Sequence, residues 1–433
     1  MNNFMKKHKA ILILLTVVFI LSLAYSFYFH IPPAVDAKAY HRIASNIVWG
    51  YGYIENPNLA PDIDLAISRM GPGYELFLTL IYFVFGIHYQ IIWVINALLF
   101  VASGFLLYKI AEKLFNDQKI ALLATGSYLL FIDVLQATAM LLTENLYLFL
   151  LILIFYLLTY FDDKRKLGYQ VIFSSVVAVT ALVRSTYLLT HLFLAVYLLI
   201  KKNYRLVILS FLFVVLIFVP WGIRNYRVFN KFMLSNVTLG YNLWAGNNLD
   251  SVGEQSGTQE IDQYLEENGI VKTAERGTTE FKNYVRQHPF HYLRLQLIKT
   301  VKYFSLVRVS AFWFHLSGAF KLITALWSGI FASFIFIFGS LGLYELIRKK
   351  KQTLLALFII SFPISVIPFL VENRYRWPIY PFLAITAAYA FFKIKRKQIK
   401  WIKVLWPLAI FVLITVIDII ISYQDVISHL KSF

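Results

Sequence analysis

Two carboxylates stand where apolar chain gives way to polar chain. Asp36 follows the apolar run 10–29 and the segment Ile31-Pro32-Pro33-Ala34-Val35. Glu144 lies in Leu141-Leu142-Thr143-Glu144-Asn145, at the head of another apolar run. A carboxylate facing lipid costs on the order of 3 kcal/mol on insertion scales, so acids in such places face a cavity or a partner. Either could take a proton from a hydroxyl or amine within hydrogen-bond reach. Each also has a plainer role at a helix start. Asp36 would cap a helix over 37–49, and Glu144 would satisfy a helix dipole with Thr143 as the cap. Two acids on one face favour a joint site over two separate caps.

The basic residues near the same face form a second group. Arg184 ends an apolar run, and Arg224 follows Pro220-Trp221-Gly222-Ile223. Arg374 and Arg376 share Glu372-Asn373-Arg374-Tyr375-Arg376-Trp377-Pro378, and Arg69 precedes Met70-Gly71-Pro72-Gly73-Tyr74. A guanidinium fork binds phosphate bidentately, so a lipid phosphate is the natural anion here. The competing role is snorkelling to headgroups. Lys299, with Arg294 and Lys302, sits among apolar residues in 290–304, the pattern of an interfacial helix that meets lipid or its phosphate. Tyr40, His41, Trp49, Tyr51, Tyr53, Tyr74, Tyr241 and Trp244 supply aromatic surface. Most suit an interfacial belt, and some would stack on a sugar. His41 is a candidate base or ligand, though a lone histidine is usually neither. The chain holds no Walker loop, no GxSxG and no HExxH. Asp162-Asp163 stands among Lys164, Arg165 and Lys166 and reads as loop charge.

These residues must be positioned by membrane helices. The chain is 59% hydrophobic and 18% aromatic, with mean hydropathy +0.65, against roughly 45–50% apolar residues in soluble domains. The excess lies in long runs rather than alternating stripes. Candidate spans occur at 10–29, 89–109, 120–138, 143–160, 168–184, 186–200, 206–222, 318–345, 353–371, 377–393 and 401–422, about eleven in all, of which 186–200 is short. The first run exceeds the roughly 7–15 residues of a signal-peptide core and lacks a small-residue cleavage site, so it reads as an uncleaved helix. Residues 74–86 are apolar but too short to cross, as an amphipathic or re-entrant piece would be. There is no cysteine, which excludes disulfides, thiolate nucleophiles and Cys-based metal sites.

The net charge of +18 is topogenic rather than a sign of nucleic-acid binding. With the N-terminus inside, every short inner connection is basic: Lys6 to Lys9, Lys109 to Lys119, Lys164 to Lys166, Lys201 to Arg205, Arg348 to Lys351 and Lys393 to Lys403. Asp36, Glu144, Arg184, Arg224 and Arg374 then share the outer face. The chain divides into an N-terminal transmembrane module, 1–222, with a helical first outer loop, 30–88; an outer-face subdomain, 223–317; and a C-terminal transmembrane module, 318–433. Turn signals mark Gly246-Asn247-Asn248 and Ser251-Val252-Gly253. Helices are expected over Thr258–Asn268, over Thr273–His288 before Pro289, and over 290–304.

The ordered set of motifs resembles the bacterial polytopic glycosyltransferases of the GT-C superfamily, relatives of the dolichyl-phosphate-mannose protein mannosyltransferases and the lipid A aminoarabinose transferases. It runs from Asp36-x-x-x-Tyr40-His41, Gly50-Tyr51-Gly52-Tyr53, Arg69 and Pro72-Gly73-Tyr74 through Leu142-Thr143-Glu144-Asn145 and Ala181-Leu182-Val183-Arg184. It continues in Pro220-Trp221-x-x-Arg224-Asn225-Tyr226, Tyr241-Asn242-Leu243-Trp244 and Arg374-Tyr375-Arg376-x-Pro378. The resemblance implies an all-α, GT-C-like bundle in a bacterial cytoplasmic membrane, working at its outer face. It implies a sugar taken from a polyprenyl-phosphate donor and passed to a glycan, lipid or protein acceptor. Asp36 would be the catalytic carboxylate and Glu144 its supporting acid. Arg374 and Arg376 would hold the donor phosphate. Arg224, Arg69, Arg184 and Lys299 join them as candidate phosphate or lipid contacts, and Tyr40, His41, Tyr74 and Trp244 as sugar or acceptor contacts. Three departures stand out: Glu75 where relatives carry a second proline, an extra residue in Arg69-Met70-Gly71-Pro72, and no long soluble domain after the last span.

The residue types fit that chemistry. Arginine neutralises a leaving phosphate, a carboxylate base activates the acceptor, and a single in-line displacement inverts the anomeric carbon, by extension of the carboxylate logic of glycosidases. A divalent metal bridging Asp36, Glu144 and phosphate would suit the oxygen donors, but three well-placed ligands are not visible. A flippase or exporter of lipid-linked glycans would instead show paired charges and broken helices at mid-membrane. An outer-face glycan polymerase would show arginine-rich loops without the early aspartate.

Overall fold

A computed structural model describes residues 8–60, 64–68, 71–160, 166–234, 238–254, 258–307 and 314–423. The described residues form helices and turns, with no strand among them. In order these are α1 (Lys9–Phe29), α2 (Asp36–Val48), α3 (Pro72–Phe85), α4 (Tyr89–Phe115), α5 (Gln118–Leu129), α6 (Thr143–Tyr160), α7 (Leu167–Val183), α8 (Tyr187–Ile200) and α9 (Tyr204–Phe229). Then follow α10 (Thr238–Gly246), α11 (Gln259–Gln287), α12 (Pro289–Phe304), α13 (Gly318–Arg348), α14 (Thr353–Val366), α15 (Tyr380–Lys395) and α16 (Leu405–Ile421).

Every expected span is helical, but the lengths differ from the reading of the sequence. Seven helices are long and apolar enough to cross a membrane, or eight if α5 and the short piece Ile132–Ala139, bent 59° from it, form one span. The other three expected spans, 168–184, 186–200 and 353–371, are helices of 17, 14 and 14 residues. Arg184 takes extended backbone and separates α7 from α8. Pro368 disfavours helix at the residue before it, and α14 stops at Val366. The described chain is thus a multi-pass membrane protein that also contains several shorter apolar helices. The apolar piece 74–86 is α3, a helix of 14 residues that buries Tyr74, Leu78, Ile81 and Tyr82 and exposes Leu80, Phe83, Val84 and Phe85.

The packing order explains where the site lies. The spans containing α15 and α6 are the most enclosed, at 78% and 72% buried, while the spans of α1 and α16 are only 22% buried. Small residues let the inner helices approach closely. A Cβ at Gly342 of α13 would stand 2.0 Å from the Thr386 carbonyl oxygen of α15. Glu144 lies in the first turn of α6. Arg374 lies in the 3₁₀ turn Asn373–Ile379 that leads directly into α15. The two most enclosed helices therefore begin at charged residues, which places those charges in protein rather than in lipid.

The described residues between α9 and α13 include the helices α10, α11 and α12. Thr258 caps α11 by accepting from the Ile261 amide. The two expected helices are arms of α11 meeting at Gly269, whose φ of 74° breaks the helical path without a side-chain penalty. Pro289 starts α12. The helix α10 has no clear signal in the sequence, where Gly246-Asn247-Asn248 reads as a turn. It crosses α11 at glycines: a Cβ at Gly240 would stand 1.8 Å from the Ala274 carbonyl oxygen, and one at Gly277 would stand 2.3 Å from the Gly240 carbonyl oxygen.

Candidate functional site

Four helix ends bring their charges together. Asp36 is the first residue of α2, and Val35 before it takes φ 46°, an unusual conformation for a β-branched residue. No side chain caps this helix, so Asp36 meets the helix dipole from the first turn rather than as an N-cap. Its Oδ2 accepts from an Arg374 terminal nitrogen at 2.5 Å. The Arg374 Nε donates to Glu372 Oε2 at 3.0 Å and stands 3.7 Å from Glu144 Oε1. Glu144 Oε1 in turn accepts from Arg184 at 2.5 Å, and its Oε2 accepts from the Thr143 hydroxyl at 3.1 Å. The guanidinium of Arg184 also lies over the rings of Tyr375 at 4.9 Å and Tyr147 at 5.6 Å. Three carboxylates and two guanidiniums thus form one connected cluster.

Asp36, Arg184 and Arg374 of the cluster line a cavity of about 620 Å³. Asp36, Tyr40, Arg184, Arg374, Tyr147 and Tyr375 supply its polar lining. Leu188 and Leu189 of α8, Phe362 and Val366 of α14, and Phe369 and Leu370 supply an apolar wall. Thr238, Leu239, Tyr241 and Asn242 of α10 line it from the outer layer. Glu144 does not line it; at 1% side-chain exposure it sits behind the two arginines. An amphipathic ligand with an anionic head and an apolar tail fits this distribution.

The remaining candidates from the sequence fall elsewhere. Arg376 is 1% exposed, donates to the Ser305 carbonyl and lies over Phe336 and Tyr380 at 5.8 Å each, outside the cavity lining. Two residues apart on a 3₁₀ turn, Arg374 and Arg376 point in different directions. Arg224 donates to the Tyr53 carbonyl at 2.9 Å and packs on Tyr53, Trp221 and Phe229. Lys299 donates to Asn247 Oδ1 at 2.7 Å and to the Phe369 carbonyl at 2.6 Å, and burial pushes its ammonium down to about 7. His41 meets the Tyr82 hydroxyl at 3.0 Å, and burial, then the neighbouring Arg42 charge, lowers its affinity for a proton. Tyr74 packs edge-on against Tyr40 at 5.3 Å, one layer behind the cavity. Trp244 is buried in the outer layer with Arg276 over its ring at 4.9 Å. Arg69, Asp162 and Asp163 lie outside the described residues.

Glu372, Tyr147 and Tyr375 were not singled out by the sequence. The only signal for them is adjacency, Glu372 and Tyr375 to Arg374 and Tyr147 to Glu144. The donor set does not suit a divalent metal between Asp36 and Glu144. Their oxygens are bridged by guanidiniums, and no group of three His, Asp or Glu able to hold a metal gathers among the described residues.

Residues 69–223 match the family model of dolichyl-phosphate-mannose-protein mannosyltransferases. ArnT from Cupriavidus metallidurans bound to undecaprenyl phosphate aligns over 94% of this chain with a TM-score of 0.54 at 15% identity. The apo state of the same ArnT aligns over 91% of this chain with a TM-score of 0.50 at 16% identity. The chain has an ArnT-like fold. It spans 63% and 62% of the length of those two ArnT chains. No curated protein sequence matches it. The family match contains Tyr74, Glu144 and Arg184 but neither Asp36 nor Arg374. The cluster therefore joins the matched segment to the two parts of the chain that flank it.

Proposed function

We propose that this protein is a membrane glycosyltransferase that moves a sugar from a polyprenyl-phosphate donor to an acceptor at the outer face of a bacterial cytoplasmic membrane. The observation that carries this reading is one cavity lined both by a carboxylate with two guanidiniums and by aliphatic and aromatic side chains. The wall would take the first isoprene units. Arg374 and Arg184 would neutralise the phosphate, and Asp36, which lines the same space, is the base. The ArnT relative is described as bound to undecaprenyl phosphate, which agrees with this assignment.

The step balances with these groups alone. An acceptor hydroxyl or amine gives its proton to an Asp36 oxygen as its lone pair forms a bond to the anomeric carbon. The bond from that carbon to the phosphate oxygen breaks, and the electron pair stays on the phosphate, whose charge the arginines offset. A single displacement inverts the anomeric centre. The basic connections between spans support an outward-facing site.

Purified protein supplied with a radiolabelled polyprenyl-phosphate sugar and membrane extract tests the reading. Transfer is expected with wild type. Asp36→Asn should lose it by a factor of about 10² or more, the typical contribution of a general base, without weaker donor binding. Transfer by Asp36→Asn at the wild-type rate would remove the base assignment. Reporter fusions at residues 50 and 375 should both read outside; a cytoplasmic signal from both would overturn the orientation.

A further inference from the structure

Arg374 presents two edges to three acids. Its Nε edge faces Glu372 at 3.0 Å and Glu144 at 3.7 Å, while one terminal nitrogen reaches Asp36 at 2.5 Å. The two groups on the Nε side differ in setting. Glu144 is sealed in behind the cluster, at 1% side-chain exposure, and is shared with Arg184. Glu372 is 23% exposed and precedes the 3₁₀ turn that carries Arg374. Asp36, Arg374 and Arg184 all line the cavity. A guanidinium held along one edge can rotate little, so whatever binds its other edge must compete there.

We propose that Glu372 is a positioning residue: it fixes the Nε edge of Arg374 so that the terminal edge is exchanged between Asp36 and the donor phosphate. This rests on the reading of the cavity as a polyprenyl-phosphate site and extends it to the order of events. In the empty site Arg374 neutralises Asp36. When a phosphate oxygen takes that edge, the Asp36–Arg374 pair opens and the carboxylate gains basicity where the acceptor arrives. After transfer the proton sits on Asp36, so the spent phosphate keeps the arginine until Asp36 is deprotonated. Donor binding therefore precedes productive acceptor binding.

The signs of three variants separate this from simple charge repulsion. Binding of polyprenyl phosphate is measured by tryptophan fluorescence in detergent, and each variant is first checked for wild-type elution and melting. Asp36→Asn removes the competitor for the edge and should tighten binding by about 5-fold or more, but not in an Arg374→Gln background. Glu372→Gln removes a negative charge near the anion, so repulsion alone predicts tighter binding. Loss of the Nε anchor predicts the reverse, weakening of about 5-fold or more, with recovery in Glu372→Asp. In transfer assays Glu372→Gln should raise donor KM more than it lowers kcat, and initial-rate patterns should be ordered with donor first. Wild-type binding together with tighter binding by Glu372→Gln overturns this inference and leaves the function standing. Wild-type protein that takes up no polyprenyl phosphate overturns both.

Discussion

Replacing Glu144 by glutamine isolates the worth of the sealed ion pair. The change keeps the side-chain size and an oxygen able to accept from Arg184, but it removes the charge. Arg184 is 5% exposed, and Glu144 is its ion-pair partner among the described residues. Removing one member of a buried pair costs about 3–5 kcal/mol because the other is left uncompensated. The Tyr375 and Tyr147 rings, at 4.9 and 5.6 Å from the guanidinium, remain and return roughly 1–2 kcal/mol to a desolvated cation. A loss of about 1–4 kcal/mol follows from the difference. Reversible unfolding in mixed micelles measures it, in a cycle with Arg184→Gln and the double variant. The double variant should be less destabilised than the two singles together, by about 2 kcal/mol or more, the range found for residues in one ion-pair network. Losses that add to within about 0.5 kcal/mol, as for independent sites, would refute the view that the two charges exist for one another.

The other predictions concern the outer layer. Gly240→Val puts a branched side chain where a Cβ alone would stand 1.8 Å from the Ala274 carbonyl oxygen. It should loosen α10 from α11 at a cost of about 1–3 kcal/mol or more, read as faster proteolysis within 238–287; an unchanged cleavage pattern would contradict the crossing. Burial holds Lys299 at about 7, below the roughly 10.4 of an open chain. Between those values the unfolded chain binds the additional proton, so stability should rise with pH across that window, by up to about 1.4 kcal/mol per unit. Below about 7 the contribution is flat and at its lowest. Lys299→Met should flatten the profile between pH 7 and 9 in unfolding experiments, and an equal slope in both proteins would show that the lysine stays charged.

The helical class and the positions of the spans were legible because apolar runs and basic connections are properties of composition along the chain. The gathering of Asp36, Glu144, Arg184 and Arg374 was legible in kind, since each stands at the end of an apolar run. What the sequence did not carry is direction. Arg374 and Arg376 look alike in Arg-Tyr-Arg, yet one enters the cavity and the other reaches the Ser305 carbonyl in the core. Trp244 and Asn242 are neighbours on α10, but Asn242 lines the cavity while Trp244 packs under Arg276. Lys299 reads as an interfacial cation and is a buried tie, because its two accepting oxygens come from segments 52 and 70 residues away. A helix end was misjudged where the expected span 353–371 stops at Val366, shortly before Pro368.

The outer helix α10 separates two duties along its short length. It is fastened through Gly240 to α11, and through Gly246 and Asn247 to the Phe369 carbonyl, which Lys299 also holds. These contacts use glycine backbone and side chains that do not line the cavity. Thr238, Leu239 and Asn242, which do line it, take no part in that fastening. Substitutions at these three positions can reshape the space above the ion-pair cluster without unseating the helix. The cavity can thus be recut from α10 while Asp36, Glu144, Arg184 and Arg374 stay as they are, which makes this helix the first to randomise in a laboratory search for altered ligand preference.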